Sequence, residues 1–92
     1  MYNEYWNIIL SYLGGKKLVK VYSTDSCPWC VKAKKYLESK NVAFEEFNVG
    51  EDMIARQEML NKSKQMGVPV LDINGTIIVG FDKPAIDTAL TK

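Results

Sequence analysis

The sequence predicts an α/β fold built on a four-stranded mixed sheet flanked by helices, with an extra helix at the amino terminus. Two observations carry this expectation. Short runs rich in β-branched and aromatic residues alternate with segments of helical period, and the last two such runs are joined by Asn74-Gly75, a pair suited to a type I′ hairpin turn. Strands separated by helices imply parallel pairing through a right-handed crossover, and a closing hairpin adds antiparallel strands.

The first segment, "YNEYWNIILSYLGG", sets Tyr2, Tyr5, Trp6, Ile9, Tyr12 and Leu13 at spacings near three and four and stops at Gly14-Gly15. It reads as an amphipathic helix, and residues 1–15 are expected to form an extension outside the main domain, which spans 16–92. Packing over an edge or face of the sheet is its expected use; a dimer contact is the alternative, otherwise the chain is expected to be a monomer. "KLVKVYS" follows as a strand over Leu18 to Ser23, apolar enough to be covered on both faces.

From Pro28 the period changes. Cys30, Ala33 and Leu37 share one helical face while Lys32, Lys35 and Ser39 lie toward water, and Pro28 suits a first turn that does not need its N–H. "Asn41-Val42" is expected to end this helix, and "AFEEFNV" to form the second strand. A polar helix is expected over Glu51 to Gln65, with Glu51 and Asp52 at its positive end and Lys62 and Lys64 at its negative end. "VPVLDINGTIIVGF" is the hairpin, and Asp82 caps a last helix that carries Pro84 in its first turn and Ile86, Ala89 and Leu90 on one face. The order after the first helix is β-α-β-α-β-β-α, and such sheets bind ligands at the carboxyl ends of their parallel strands. Here that end is "TDSCPWC".

Composition narrows the function classes. The chain has 92 residues, 47% apolar and 25% charged, with a formal net charge of +1. That is one globular domain, able to bury roughly 60–65% of its unfolded surface. It lacks the basic field that neutralises many phosphates, so nucleic acid is not an expected partner. The apolar run from Trp6 to Leu13 is too short for a membrane span and lacks the start and cleavage pattern of a signal peptide, so a cytoplasmic location and no membrane partner are expected.

The two cysteines, Cys27 and Cys30, stand three positions apart. In a reducing compartment a structural disulfide is unusual. With no histidine in the chain, a zinc site within one subunit would have two cysteines and only carboxylates to complete it, which the ligand count disfavours. Reacting thiols remain. Cys27 ends a strand and precedes a helix, where unpaired N–H groups and the positive end of the helix dipole favour a thiolate; thiols so placed fall from about 8.5 to roughly 3.5–7.5. Cys30, almost one turn on and sharing the face of Ala33 and Leu37, is expected to be partly buried and to attack a mixed disulfide formed at Cys27. Lys32 and Lys34 could support the thiolate, although surface lysines are usually only solvated. Trp29 reads either as a core residue or as part of the rim a partner meets, and its place between the cysteines favours the rim. Pro69, opening the third strand, is either a simple strand-entry residue or a cis-proline.

Cys27-Pro28-Trp29-Cys30 at a strand-to-helix junction, Val68-Pro69 before the hairpin and Gly80-Phe81-Asp82 before the last helix, in this order and spacing, resemble the glutaredoxin family from Lys17 to Leu90. The resemblance implies the thioredoxin fold. It makes Pro69 similar to the family's cis-proline and gives Val68 a backbone that an extended substrate can pair with. It implies that Thr24, Trp29, Gln57, Val68, Pro69, Gly80, Phe81 and Asp82 form the surface for substrate or glutathione. Gly80, Asp82 and the first-turn N–H groups of the last helix are suited to the γ-glutamyl carboxylate; Arg56 and Gln57 are placed for a polar contact. Three positions depart from the pattern. Thr24 stands where many glutaredoxins have a lysine, Gly67 where they have threonine, and Val79 where they have the first of two glycines. Similar departures occur in a glutaredoxin-like branch that takes electrons from thioredoxin reductase and serves ribonucleotide reductase.

The expected function is thiol–disulfide exchange on protein disulfides or glutathione mixed disulfides, through a Cys27–Cys30 dithiol/disulfide cycle. No bound cofactor is expected; glutathione is the expected reductant or co-substrate, with thioredoxin reductase as the other electron source. Redox potential bears on the choice, glutaredoxins lying at roughly −200 to −230 mV and thioredoxin at about −270 mV, and the sequence does not place the chain within that interval. The alternative is a binding module in which Cys27 thiolates of two chains, with glutathione, hold an iron–sulfur cluster or another soft metal; Pro28, which stiffens the loop, and the second cysteine weigh against it. A third reading is an interaction domain with inert thiols.

Overall fold

The computed structural model describes residues 18–91. The amino-terminal extension, with the helix expected in it and its expected packing over the sheet or alternative dimer contact, lies outside the described residues. The elements are β1 (Val19–Ser23), α1 (Pro28–Ser39), β2 (Glu45–Asn48), α2 (Met53–Ser63), β3 (Val70–Ile73), β4 (Thr76–Val79) and α3 (Lys83–Thr91). They form a four-stranded sheet of order β2-β1-β3-β4, with β1 parallel to β2 and antiparallel to β3, and β3 antiparallel to β4.

Alternation along the strands divides the core into two faces. Val19 and Val21 of β1, Leu71 and Ile73 of β3 and Ile78 of β4 bury one face with Ala33 and Leu37 of α1 and Ile86 and Ala89 of α3. Tyr22 and Val70 bury the other face with Val49 and with Ala55 and Met59 of α2. Burying side chains such as Leu37 or Ile86, both fully inaccessible, stabilises by about 2–3 kcal/mol each. The helical spacing of Cys30, Ala33 and Leu37 therefore does in the fold what it suggests in the sequence.

The second face also carries a polar cluster. The Tyr22 hydroxyl donates to Glu58, and Lys62 donates to Tyr22 Oη at 2.9 Å and Asp72 Oδ2 at 2.6 Å. These bonds tie α2 across β1 and β3.

Several boundaries differ from the expected ones. The strand β1 starts at Val19 and β2 is the four-residue segment Glu45–Asn48. The first helix stops at Ser39, because Lys40 already leaves helical geometry and Asn41 takes φ 58°. α2 runs from Met53 to Ser63 rather than from Glu51 to Gln65. Asp52 is not inside the helix but caps it, accepting from Ala55 N–H at 3.0 Å, and Lys64 ends it with φ 61°. The hairpin turns at Asn74 (φ 52°) and Gly75 (φ 96°), the positive pair that a type I′ turn requires.

The candidate active site at the carboxyl end of the parallel strands

β1 and β2 run side by side and end together at Ser23 and Asn48. The chain leaves β1 through Thr24, Asp25 and Ser26 and enters α1 at Pro28. Asn48 Nδ2 donates to Asp25 Oδ1 at 2.9 Å, and Val49 N–H donates to Ser23 O at 2.8 Å, which fix this loop against the end of β2. Thr24 is half-buried there.

Cys27 itself caps α1. Its backbone is extended (φ −129°, ψ 98°), and its Sγ accepts from Cys30 N–H at 3.1 Å. Its carbonyl accepts from Cys30 N–H and Val31 N–H at 3.1 and 3.2 Å. A sulfur in the N-cap position faces the unsatisfied N–H groups and positive dipole end of the helix. Cys27 and Cys30 are joined as a disulfide, with Cα atoms 5.2 Å apart. The two sulfurs are unequal in access: Cys27 is half-exposed, whereas Cys30 is 0% exposed beneath it. Trp29 is 56% exposed, a rim position rather than a core one.

The two lysines that follow the cysteine motif have other partners. Lys34 Nζ sits on Glu46 Oε2, a carboxylate that also accepts from Ser23 Oγ at 2.9 Å; chiefly through Lys34, Glu46 is held below the usual carboxylate range. Lys32 Nζ lies 4.4 Å from the Trp29 ring centroid.

The peptide bond Val68-Pro69 is cis. Pro69 is buried, and Val68 packs against the cluster of Tyr22, Val49 and Met59. Gly80, with φ 86°, donates its N–H to Pro69 O at 2.8 Å, so the segment before α3 is tied to the segment before β3. Phe81 then meets the cysteine loop: its ring centroid is 6.5 Å from that of Trp29 and 5.8 Å from that of Tyr36. Asp82 caps α3, accepting from Ala85 N–H at 3.2 Å. The Trp29, Pro69 and Gly80–Asp82 regions are thus joined by contacts on one side of the molecule.

The two candidates on α2 go different ways. Arg56 Nη2 reaches Met66 Sδ at 3.9 Å, next to the loop that leads to Pro69. Gln57 is exposed and donates to Asn61 on its own helix at 3.1 Å. Two features of the site carry no sequence signal: the approach of Phe81 to Trp29 and Tyr36, two rings of α1 from which it is distant in the chain, and the side chain of Gln65. The latter lies beside the Pro69 loop and bonds the main chain of Gly67. Among the described residues no group of three or more His, Cys, Asp or Glu is arranged to hold a metal ion, and no helix is long and apolar enough to cross a membrane.

Comparison with known proteins places this geometry. The glutaredoxin family model matches residues 19–78. A glutaredoxin-like protein of the rubredoxin operon of Clostridium pasteurianum is 55% identical over 75 residues, 82% of this chain and 100% of that protein. Glutaredoxin 3 of Escherichia coli is 36% identical over 64 residues, 70% of this chain and 77% of its own. Among solved structures, the glutaredoxin from Methanosarcina mazei superposes with a TM-score of 0.74 at 28% identity, covering 82% of this chain and 79% of that one.

Proposed function

The chain belongs to the glutaredoxin family of thiol–disulfide oxidoreductases, and on that premise we propose that it reduces protein disulfides or glutathione mixed disulfides in the cytoplasm, with Cys27 as attacking thiolate and Cys30 as resolving thiol. The observation that carries the assignment is the N-cap sulfur: Cys27 Sγ accepts from Cys30 N–H at 3.1 Å at the half-exposed mouth of α1, while Cys30 is fully buried.

In the reduced protein the Cys27 thiolate is favoured by the same N–H group and by the helix dipole. It attacks one sulfur of the substrate disulfide; a new S–S bond forms at Cys27 and the other substrate sulfur leaves as a thiolate that takes a proton. Cys30, deprotonated, then attacks Cys27 Sγ. The mixed disulfide breaks, the second substrate sulfur leaves and is protonated, and the Cys27–Cys30 disulfide closes. Two electrons pass from the cysteine pair to the substrate, and its two thiols take up two protons, one released by Cys30 and one from solvent.

The cis Val68-Pro69 segment offers the Val68 main chain to an extended substrate. The main-chain N–H groups of Asp82 and Lys83 at the start of α3, next to Gly80, are suited to a carboxylate of glutathione, with Trp29 and Phe81 forming an apolar wall. Thr24, lacking a charge, weakens the contact that a lysine would give a second glutathione carboxylate. The reductant is accordingly glutathione held by a reduced set of contacts, with thioredoxin reductase as the competing electron source.

A coupled assay tests this. NADPH consumption with a disulfide substrate is followed with glutathione and glutathione reductase, and in parallel with thioredoxin reductase. Turnover with either is expected from the wild type and from neither with Cys27→Ser. Cys30→Ser is expected to accumulate a mixed disulfide that mass spectrometry detects. If only thioredoxin reductase supports turnover, the glutathione contacts at Val68, Gly80 and Asp82 are wrong. The cluster-binding alternative predicts a coloured, iron-containing protein from anaerobic purification and a Cys27→Ser variant without colour.

A further inference from the structure

We propose that Gln65 is a positioning residue for substrate: its carboxamide clamps the Gly67 main chain and so presents Val68 as the unit that pairs with an incoming disulfide-bearing strand. The proposal rests on the reading of the site given above. Gln65 Oε1 accepts from Gly67 N–H at 2.7 Å, and its Nε2 donates to Gly67 O at 3.0 Å and Ser63 Oγ at 3.2 Å. Ser63 Oγ in turn lies 2.8 Å from Met59 O, and the Met59 side chain is 1% exposed in the core beneath α2. The loop is thereby held to the last turn of α2 by a continuous hydrogen-bonded path.

The clamp explains the residue at position 67. A Cβ built on Gly67 would stand 2.8 Å from Gln65 Oε1, so a side chain at 67 is accommodated only if the flexible end of Gln65 moves away and gives up its bond to the Gly67 N–H. Glycine at 67 and glutamine at 65 are therefore two halves of one device. Its effect falls on the neighbour. Both main-chain polar groups of Gly67 are taken, whereas among the described residues no main-chain hydrogen bond engages Val68. An extended peptide is left with one register, on Val68, beside the cis-proline. Because the amide does not titrate, the clamp holds at every pH at which the thiolate is available.

The test uses the full chain, reduced and freed of reductant, mixed with excess of a synthetic peptide carrying one disulfide. Half-saturating concentration and limiting rate are read from tryptophan fluorescence. Gln65→Ala is expected to raise the half-saturating concentration about tenfold, with the limiting rate within about twofold and the pH profile of Cys27 alkylation unmoved. Gln65→Glu keeps the acceptor but loses the donor, and is expected to fall between. Gly67→Ala is expected to match Gln65→Ala alone and to add little in the Gln65→Ala background, the non-additivity of a shared interaction. Equal cost of Gly67→Ala in both backgrounds overturns the proposal, as does a Gln65→Ala variant with unchanged half-saturation or a shifted Cys27 profile. If Gln65→Ala does not fold, a folded Gly67→Ala with wild-type half-saturation overturns it equally. A wild-type protein that does not react with the peptide overturns the reading of the site, and this proposal with it.

Discussion

At the scale of single residues, what separates the two cysteines is position rather than sequence context. Cys27 takes the N-cap place usually held by Ser, Thr, Asp or Asn, so one sulfur both closes the helix and receives the Cys30 N–H. A different residue governs behaviour in alkali. Burial, and then its hydrogen bond to Glu58, push the Tyr22 hydroxyl up to about 12. Lys62, although burial opposes its charge, is held above the usual lysine range by Asp72 and Tyr22. The fold thus favours the neutral phenol and the charged amine. The tyrosine's contribution to stability is complete below its unfolded value near 10 and is lost as pH rises toward 12, an effect of about 2–3 kcal/mol; the lysine's loss extends to higher pH. Urea midpoints should fall across that interval, and Tyr22→Phe should flatten the fall while costing about 1–2 kcal/mol at pH 7. An alkaline slope unchanged in Tyr22→Phe contradicts this account of the cluster.

At the scale of elements, strands and helices follow patterns the sequence states openly where burial is one-sided. Cys30, Ala33 and Leu37 declare α1, and Asn74-Gly75 declares the hairpin. α2 is less legible because its buried residues are few, Ala55 and Met59, and its ends depend on caps rather than on period. Asp52 reads as a first-turn charge in sequence but is the N-cap in the fold. Asp52→Ala should therefore cost about 1 kcal/mol, seen as a lower urea midpoint with an unchanged slope; an unaltered midpoint would count against capping. The link between β2 and α1 is electrostatic, through Glu46 and Lys34. Since Lys34 lowers the Glu46 carboxyl, stability from this pair is present above the ordinary carboxylate range and lost as pH falls below it. Glu46→Gln should blunt that acid sensitivity in the same urea titrations. The Gln65 clamp was not legible at all: its partners are main-chain atoms two residues away, and no periodicity records them.

At the scale of the whole molecule, the sheet order β2-β1-β3-β4 lets three separate stretches of chain be joined by contacts. β1 delivers Cys27, the start of β3 delivers Val68 and Pro69, and the end of β4 delivers Gly80 and Phe81. The three motifs are legible one by one in the sequence; their meeting depends on the Pro69–Gly80 hydrogen bond and the Trp29–Phe81 contact, which only the fold brings about. The division of labour between the cysteines is the central claim, and the rate of iodoacetamide alkylation of reduced protein against pH, with the modified cysteine located by mass spectrometry, tests it most directly. The account predicts that Cys27 alone reacts rapidly, with a midpoint well below the free-thiol value of about 8.5 and within roughly 3.5–7.5. A Cys27 midpoint near the free-thiol value, or equal labelling of Cys30 in the folded protein, would contradict it.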